Sequence, residues 1–350
     1  MSIASELTAL NGYILSAYGA VNDKGGTVPA NKNMANLASS IATISGGGGG
    51  TGIPREIDAN SKYGYPSQSF AFSLPAGATN LSDYALRYAF ANCSTLTSVG
   101  LSSLTKIEDA RESLSYAFNT CTNLTSLDMS SVVTIKNSTD CCAYMCGGCN
   151  HLQSVDLSSL TTLQVGGAFM SAFNGCSALA TLKIGNLDTV QGNNALYATF
   201  NNCSSLTSAD LGKLTSLGTS SSGMYSTFSG CTGLSSVNLQ SLSIANGSNA
   251  LNGTFNNTAL TTFSFQSLSE IKSNYVLRYC FQNCASLTSV SFPALTTSSF
   301  GSYTNQFNNM LRYCSNVTVH FPAAIQSTIG SWADVTAGFG GTNTTVSFDL

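Results

Sequence analysis

A cysteine recurs every 26 to 30 residues through most of this 350-residue chain, and Thr258 fills the one missing place. Each cysteine opens the same phrase, C-x-x-L-x-x-V-x-L-x-x-L. Repeats of this length are typical of solenoids, in which each unit buries its apolar face only against its neighbours. The recurring cysteines are Cys93, Cys121, Cys149, Cys176, Cys203, Cys231, Cys284 and Cys314.

The apolar residues of each repeat alternate six and eight positions after the cysteine, as Ala209 and Leu211 do after Cys203. Alternation with period two indicates a strand that buries one face. We therefore predict one short strand per unit and a parallel sheet along one wall of about nine units. The phrase Y-A-F-x-N-C before each cysteine returns the chain as a short helical or irregular turn.

Three phrases carry a resemblance to a known family: YAFANCSTLTSVGLSSLTKI (88–107), YAFNTCTNLTSLDMSSVVTI (116–135) and CFQNCASLTSVSFPAL (280–295). They resemble the BspA-like leucine-rich repeats, and the similarity covers residues 84–321. The units here are several residues longer and mostly lack the proline after the strand. The resemblance implies an α/β repeat solenoid, a leucine-rich repeat with a parallel β-sheet wall. It also implies a binding role, as in bacterial surface adhesins, without naming a ligand.

Both ends of a solenoid need caps, since a terminal unit would expose core and an open sheet edge. Residues 53–83 are predicted to form the N-terminal cap, because Phe70 and Phe72 alternate like a strand ahead of the first full unit. Residues 322–350 are predicted to form the C-terminal cap, in which a helical face that includes Trp332 precedes a final strand.

The first 52 residues differ in kind from the repeats. Two apolar stripes at helical spacing predict a short helical hairpin over residues 1–45, and Gly46 to Gly50 lie in a Gly-rich linker, 46–52. Helices this short need a partner surface, so the hairpin is expected to serve attachment or oligomerisation. The opening MSIASELTALNGYILSAYGA resembles the N-terminal segment of tail and fibre-associated proteins of phages and prophages. That resemblance implies contact with other virion tail proteins.

Composition excludes several function classes. Charged residues make up 8% of the chain and the net charge is −3, so there is no basic patch for nucleic acid. No apolar run is long enough for a transmembrane span, so no membrane insertion is expected. The start Met1-Ser2-Ile3 lacks the basic region of a Sec signal peptide. We therefore expect synthesis in the cytoplasm, and a final place on a virion tail or on the cell exterior after export by a route other than Sec.

The twelve cysteines invite a redox or metal interpretation. Cys142, Cys146 and Cys149 have the spacing of an iron–sulfur ligand set. Their register favours a simpler role, because Cys142 and Cys146 stand in columns that other repeats fill with leucine and phenylalanine. Free cysteine behaves as a small hydrophobe, so the thiols are predicted to be reduced and buried. Because the chain has only two histidines, it offers few candidates for a catalytic triad or for a metal site with three ligands. We expect no cofactor, no metal and no enzyme activity.

The outward positions of the predicted strands form the candidate binding face. They carry small hydroxyls with a few acids and amides between the two buried positions. These residues are either a solvated strand surface or a hydrogen-bonding platform for a glycan or protein. Tyrosines before the cysteines offer either a second exposed stripe or core packing. The residues of the candidate face are Ser126, Asp128, Ser154, Asp156, Thr181, Lys183, Ser208, Asp210, Ser236 and Asn238.

The sequence thus predicts a non-enzymatic binding solenoid, a receptor-recognition or adhesion component of a phage or prophage tail. Its expected partner is a host or bacterial cell-surface protein or glycan. Two alternatives stay open: a bacterial cell-surface adhesin of the BspA type, and a structural spacer without a ligand.

Overall fold

The computed structural model describes residues 69–74, 77–303, 305–329 and 338–350. Over this range the chain is a solenoid of parallel strands, as the repeats predict. The predicted hairpin 1–45, the linker 46–52 and Trp332 lie outside the described residues, so the hairpin stays a prediction.

The first wall of the solenoid carries eleven short strands. Each buries its central side chain, or half-buries it in the case of Val237 and Val346, and points its flanking residues outward, which is the alternation that the repeats predict. With strands numbered in chain order, this wall comprises β1 (Phe70–Ser73), β2 (Leu96–Gly100), β4 (Ser126–Asp128), β6 (Ser154–Asp156), β8 (Thr181–Lys183), β10 (Ser208–Asp210), β11 (Ser236–Asn238), β12 (Thr262–Ser264), β13 (Ser289–Ser291), β14 (Thr318–His320) and β15 (Thr345–Ser347).

A second sheet makes the prediction of one strand per unit wrong for the first coils. Its strands, β3 (Lys106–Glu108), β5 (Thr134–Lys136), β7 (Thr162–Gln164) and β9 (Thr189–Gln191), pair in parallel in that order. Each centres on a buried aliphatic residue fourteen positions after the cysteine, such as Ile107 or Leu163. Isolated bridges from Thr189 to Ser216, and on to Ile244 and Glu270, continue this wall.

The third wall, which we call the turn wall, is irregular rather than helical. Between Tyr84 and Cys93, alternate amides donate along the stack to the next coil, as Leu86 does to the Ser113 carbonyl at 2.7 Å. The amides between them close tight turns, as Ala89 does to the Leu86 carbonyl at 3.0 Å. Residues one, five and nine places before the cysteine take left-handed φ, which interrupts any helix. Helix in the described residues consists of two 3₁₀ turns, Thr297–Ser299 and Ala323–Ile325, α1, Gln326–Ile329, and residues 338–339.

The core is built from stacked columns of identical residues. Phe200 stacks on Phe173 at 5.5 Å and on Phe228 at 5.6 Å, and Leu206 is fully buried beside them. The thiol of Cys231 donates to the Phe200 carbonyl of the preceding coil at 3.0 Å, and Cys284 does the same to Phe255. All twelve cysteines are free and buried. The cysteine column therefore requires a small side chain that fills space and also donates a hydrogen bond.

Strands also stand at both ends of the described solenoid. β1 pairs with β2, and Phe72 lies opposite Val99. β15 pairs with β14 at the other end, where Ile325 and Ile329 are buried. The boundaries predicted for the caps and the repeats stay predictions.

Candidate functional site

The structure places the ten residues of the candidate face on the outer surface of the first wall, in two separate ladders. In the first, Ser126, Ser154 and Thr181 are in register, as are Asp128, Asp156 and Lys183. In the second, Ser208 faces Ser236 and Asp210 faces Asn238. All ten are exposed or half-buried. The first ladder ends at β8 and the second begins at β10. These two strands lie side by side, but they are not paired with each other.

The aspartates of this face also hold the turn that follows each strand. The carboxylate of Asp128 accepts from the amide and hydroxyl of Ser130 at 3.0 and 2.7 Å. Asp156 accepts from Ser158 in the same way, and Asp210 accepts from the next turn's amide. This is the Asx turn, in which a side chain replaces a backbone acceptor. One oxygen of each acid therefore has a structural role.

Ion pairing on this face is weak and internal. Lys183 Nζ lies 3.0 Å from Asp156 Oδ2. The Ser158 hydroxyl and then Lys183 lower the pKa of the Asp156 carboxyl. Exposed pairs of this kind contribute at most about 1 kcal/mol, so the face is a hydrogen-bonding surface rather than a strongly charged one.

A groove of about 530 Å³ opens in the first wall where β11 and β12 fail to pair. Its walls are hydroxyl and carboxamide side chains, and Val237 and Phe263 lie at its floor. The predicted residues Ser236 and Asn238 belong to it. The remaining lining residues are Ser235, Leu239, Gln240, Leu260, Thr261, Thr262, Ser264, Ser289 and Ser291.

A one-residue slip in the repeat produces this groove. Leu260 follows Thr258 by two positions, where other repeats leave three. The Ala259 amide reaches the Leu234 carbonyl at 3.0 Å, and beyond that contact the two strands diverge. The Leu211 amide donates to the Asn238 carbonyl at 2.9 Å, whereas the Leu239 amide, at the same place one coil on, donates no such bond among the described residues.

The other two walls stay closed at the same junction. On the second wall the Ser269 amide donates to the Ser243 carbonyl at 3.0 Å, and on the turn wall the Gly253 amide donates to the Arg278 carbonyl at 2.8 Å. The coils are therefore joined on two sides and open on the candidate face alone. The slip can be read from the sequence, but the groove cannot, because the apolar columns continue through the slip.

The tyrosines of the turn wall stack on one another instead of entering the core. Tyr116 stacks on Tyr88 at 4.7 Å and on Tyr144 at 4.8 Å, and Tyr197 stacks on Tyr225 at 4.9 Å. Partial burial, followed by the neighbouring phenols, raises the pKa of Tyr116. Ring faces inside such a stack are covered by neighbouring rings, so they are closed to a ligand.

The cysteines have the environment of core residues. Cys142, Cys146 and Cys149 are fully buried, which confirms the core positions that their register predicts. Burial raises the pKa of the Cys146 thiol, and it raises the pKa of Cys314 to about 12. Among the residues that the structure describes, no group of three or more His, Cys, Asp or Glu side chains is arranged to hold a metal ion.

These features define a leucine-rich-repeat solenoid. The profile of the family described as BspA type leucine rich repeat region matches six copies within residues 71–221, 143–278 and 198–333. The chain belongs to this family. No helix in the described residues has both the length and the apolar character needed to cross a membrane.

Solved structures of other repeat proteins resemble the chain at low identity. A leucine-rich repeat protein from Bacteroides ovatus is 14% identical, with 85% of each chain covered and a TM-score of 0.35. A leucine-rich cell surface protein from Faecalibacterium prausnitzii is 17% identical, with 82% of this chain and 92% of that chain covered and a TM-score of 0.30. The pneumococcal vaccine antigen PcpA is 12% identical, with 85% and 83% covered and a TM-score of 0.35. No curated protein sequence matches the chain.

Proposed function

We propose that the chain is a non-enzymatic adhesion protein that binds a neutral cell-surface glycan in the groove between β11 and β12. The observation that carries this proposal is the opening of the first wall at that junction while the other two walls stay closed. A concave, ordered opening in an otherwise flat strand face is the usual form of a ligand site.

The chemistry of the groove suits a carbohydrate. Its lining has Ser and Thr hydroxyls, Asn238 and Gln240, and no charged side chain. Such groups donate and accept hydrogen bonds with sugar hydroxyls, while the half-buried Val237 offers apolar contact to the sugar ring. The Gln240 side chain is exposed, so its carboxamide is accessible to a ligand. The lining also lacks His, Asp, Glu, Cys and Lys, the usual groups for acid–base or nucleophilic catalysis.

A glycan array probed with the full chain tests the proposal. We expect binding to neutral glycans that changes little with salt, because no charge pair is involved. The double variant Asn238→Ala, Gln240→Ala should bind at least about tenfold more weakly, a loss of roughly 1.4 kcal/mol. The matched control is Ser126→Ala, Asp128→Ala, which removes an equivalent turn residue on a paired part of the same wall and should bind as the parent does.

Absence of neutral-glycan binding would refute the assignment, and so would equal losses in the two double variants. The second result would move the site from the groove to the strand face as a whole.

A finer role, receptor recognition on a phage or prophage tail, depends on residues 1–45 and remains a prediction. We expect removal of residues 1–50 to abolish attachment or self-association and to leave glycan binding unchanged. Binding that is lost with residues 1–50 would contradict the division into attachment and binding parts. A BspA-type adhesin anchored to a cell would show the same groove chemistry, whereas a structural spacer would bind no glycan in either form.

A further inference from the structure

The turn wall carries the motif Tyr-x-Leu-Arg-Tyr twice, at 84–88 and at 275–279. In the first copy the Arg87 guanidinium lies over the rings of Tyr84 and Tyr88, 5.5 and 5.1 Å from their centroids. In the second copy Arg278 lies over Tyr275 and Tyr279 at 5.0 and 4.5 Å. Rings on both sides of a guanidinium fix its position and leave its edge for hydrogen bonds.

The two copies occupy the same place in the repeat. Arg87 and Arg278 each stand six residues before the cysteine of their coil. The motif leucine donates to the next coil in both copies, Leu86 to Ser113 at 2.7 Å and Leu277 to Gln306 at 2.8 Å. The residue just before each of these acceptors is therefore equivalent: Glu112 in one copy, Asn305 in the other.

Glu112 shows what the first copy binds. Its carboxylate lies 3.0 Å from Arg87 Nε and 3.4 Å from Arg111 Nε. The Arg87 N–H does not point at the oxygen, so the contact is an ion pair rather than an aligned hydrogen bond. A carboxylate supplied by the next coil thus completes the first copy of the motif.

The second copy lacks that carboxylate. Asn305 is neutral, and within the described ranges no ion pair to Arg278 or Arg312 is formed. Arg278 Nε is buried with no hydrogen-bond acceptor, and Asn305 Oδ1 is buried with no donor. The nearest acid along this part of the chain, Glu270, pairs with Lys272 at 3.4 Å. Arg278 Nη2 donates to the Tyr279 hydroxyl at 2.9 Å. Because no carboxylate within the described residues neutralises this guanidinium, an anion from outside would be attracted to its outer edge.

An exposed aromatic ring stands beside this cation. Arg312 lies 5.9 Å from the centroid of Tyr279 and 4.7 Å from that of Tyr313. Tyr313 is 62% exposed, the most of any large hydrophobic residue in the described chain. Unlike the tyrosines inside the stack at the other end, it has ring surface open to solvent. A pyranose ring packs on such a surface while an acidic group on the sugar reaches the guanidinium.

We propose that Arg278, Arg312 and Tyr313 form a second binding site that takes the carboxylate of an acidic carbohydrate. The carboxylate lies at the outer edge of the Arg278 and Arg312 guanidinium groups, and the sugar ring packs on Tyr313. The site lies on the turn wall, away from the groove, and does not depend on the function proposed for the groove.

Calorimetry with the full chain and an oligomer of galacturonic acid tests this site. We expect one bound ligand per chain, affinity that falls with salt, and at least about tenfold weaker binding of the methyl ester. Asn305→Glu places an internal carboxylate beside Arg278 and should weaken binding by about the same factor. Asn150→Glu adds the same charge at an exposed position on a distant coil and is the matched control; it should leave the affinity unchanged.

Glu112→Asn removes the internal carboxylate from the first copy, where Asn119 and Thr120 stand at the positions of Arg312 and Tyr313. Because the first copy lacks those two side chains, we expect this variant to bind one ligand per chain, as the parent does. Equal affinity for acid and ester would overturn the proposal, and so would unchanged binding in Asn305→Glu. Binding of an oligoglutamate peptide as tightly as the sugar acid would overturn the carbohydrate assignment. The groove variant Asn238→Ala, Gln240→Ala should bind the sugar acid normally, which separates failure here from failure of the groove proposal.

Discussion

The two copies of Tyr-x-Leu-Arg-Tyr share register and the packing of an arginine over two tyrosine rings, and the coils that follow them differ at several positions, including the one nine places before the cysteine. Near the N-terminal end that residue is Glu112, which pairs with Arg87. Near the C-terminal end it is Asn305, and Arg278 has no carboxylate partner within the described residues. In our proposal, the arginine of the first copy makes a structural ion pair within the protein, whereas the arginine of the second copy binds a ligand.

The largest effect concerns the core beneath the two copies. The motif leucines Leu86 and Leu277 are both buried, so changing either to alanine should lower the free energy of unfolding by about 2–5 kcal/mol. Ser208→Ala on the exposed strand face should change it by no more than about 0.5 kcal/mol. Urea unfolding followed by circular dichroism measures all three. A small loss at one leucine only would mean that the two copies are not packed alike.

An effect of intermediate size is the dependence of the free energy of unfolding on pH through the thiol of Cys314, which lies in the same coil as Asn305. Burial raises its pKa from 9.0 to about 12, so the folded chain holds this proton more tightly than the unfolded chain. The stability it contributes is complete below pH 9 and is lost as pH rises from 9 towards 12. The expected slope is about 1.4 kcal/mol per pH unit for one thiol, and other buried cysteines steepen it.

Urea unfolding between pH 8 and pH 10.5 tests this expectation, and Cys314→Ala should make the decline shallower. A stability that is flat over this range would contradict burial of the thiols in the folded state.

The smallest effect is the change in stability when Glu112 and Asn305 are each replaced by the other's residue type. Glu112→Asn removes a partly exposed ion pair and should cost at most about 1 kcal/mol, since asparagine suits the left-handed φ of 48° at this position. Asn305→Glu should stabilise by a similar amount. Both changes should shrink in 1 M salt, because screening weakens exposed pairs. If Asn305→Glu destabilises at low salt, the two positions are not equivalent.

Much of the fold could be read from the repeats. The buried columns, the outward strand positions and the free cysteines follow from period-two alternation and from the shared register. The second sheet was also readable from Ile107, Ile135 and Leu163, but its strands are three residues long and resemble loops when taken singly. The turn wall was not readable, because left-handed φ at Tyr84 or Glu112 runs against residue preference.

The sequence by itself determined which side chains are buried and which face outward, because those choices depend on neighbours a few residues apart and on the apolar pattern. Which side chains and strands contact one another across neighbouring coils depends on the tertiary structure. The pairing of Glu112 with Arg87 joins residues 25 positions apart. The groove between β11 and β12 arises because a one-residue slip can be absorbed by one wall while hydrogen bonds hold the other two. Contacts of this kind form only when coils stack, so they depend on the offset between repeats rather than on the content of any single repeat.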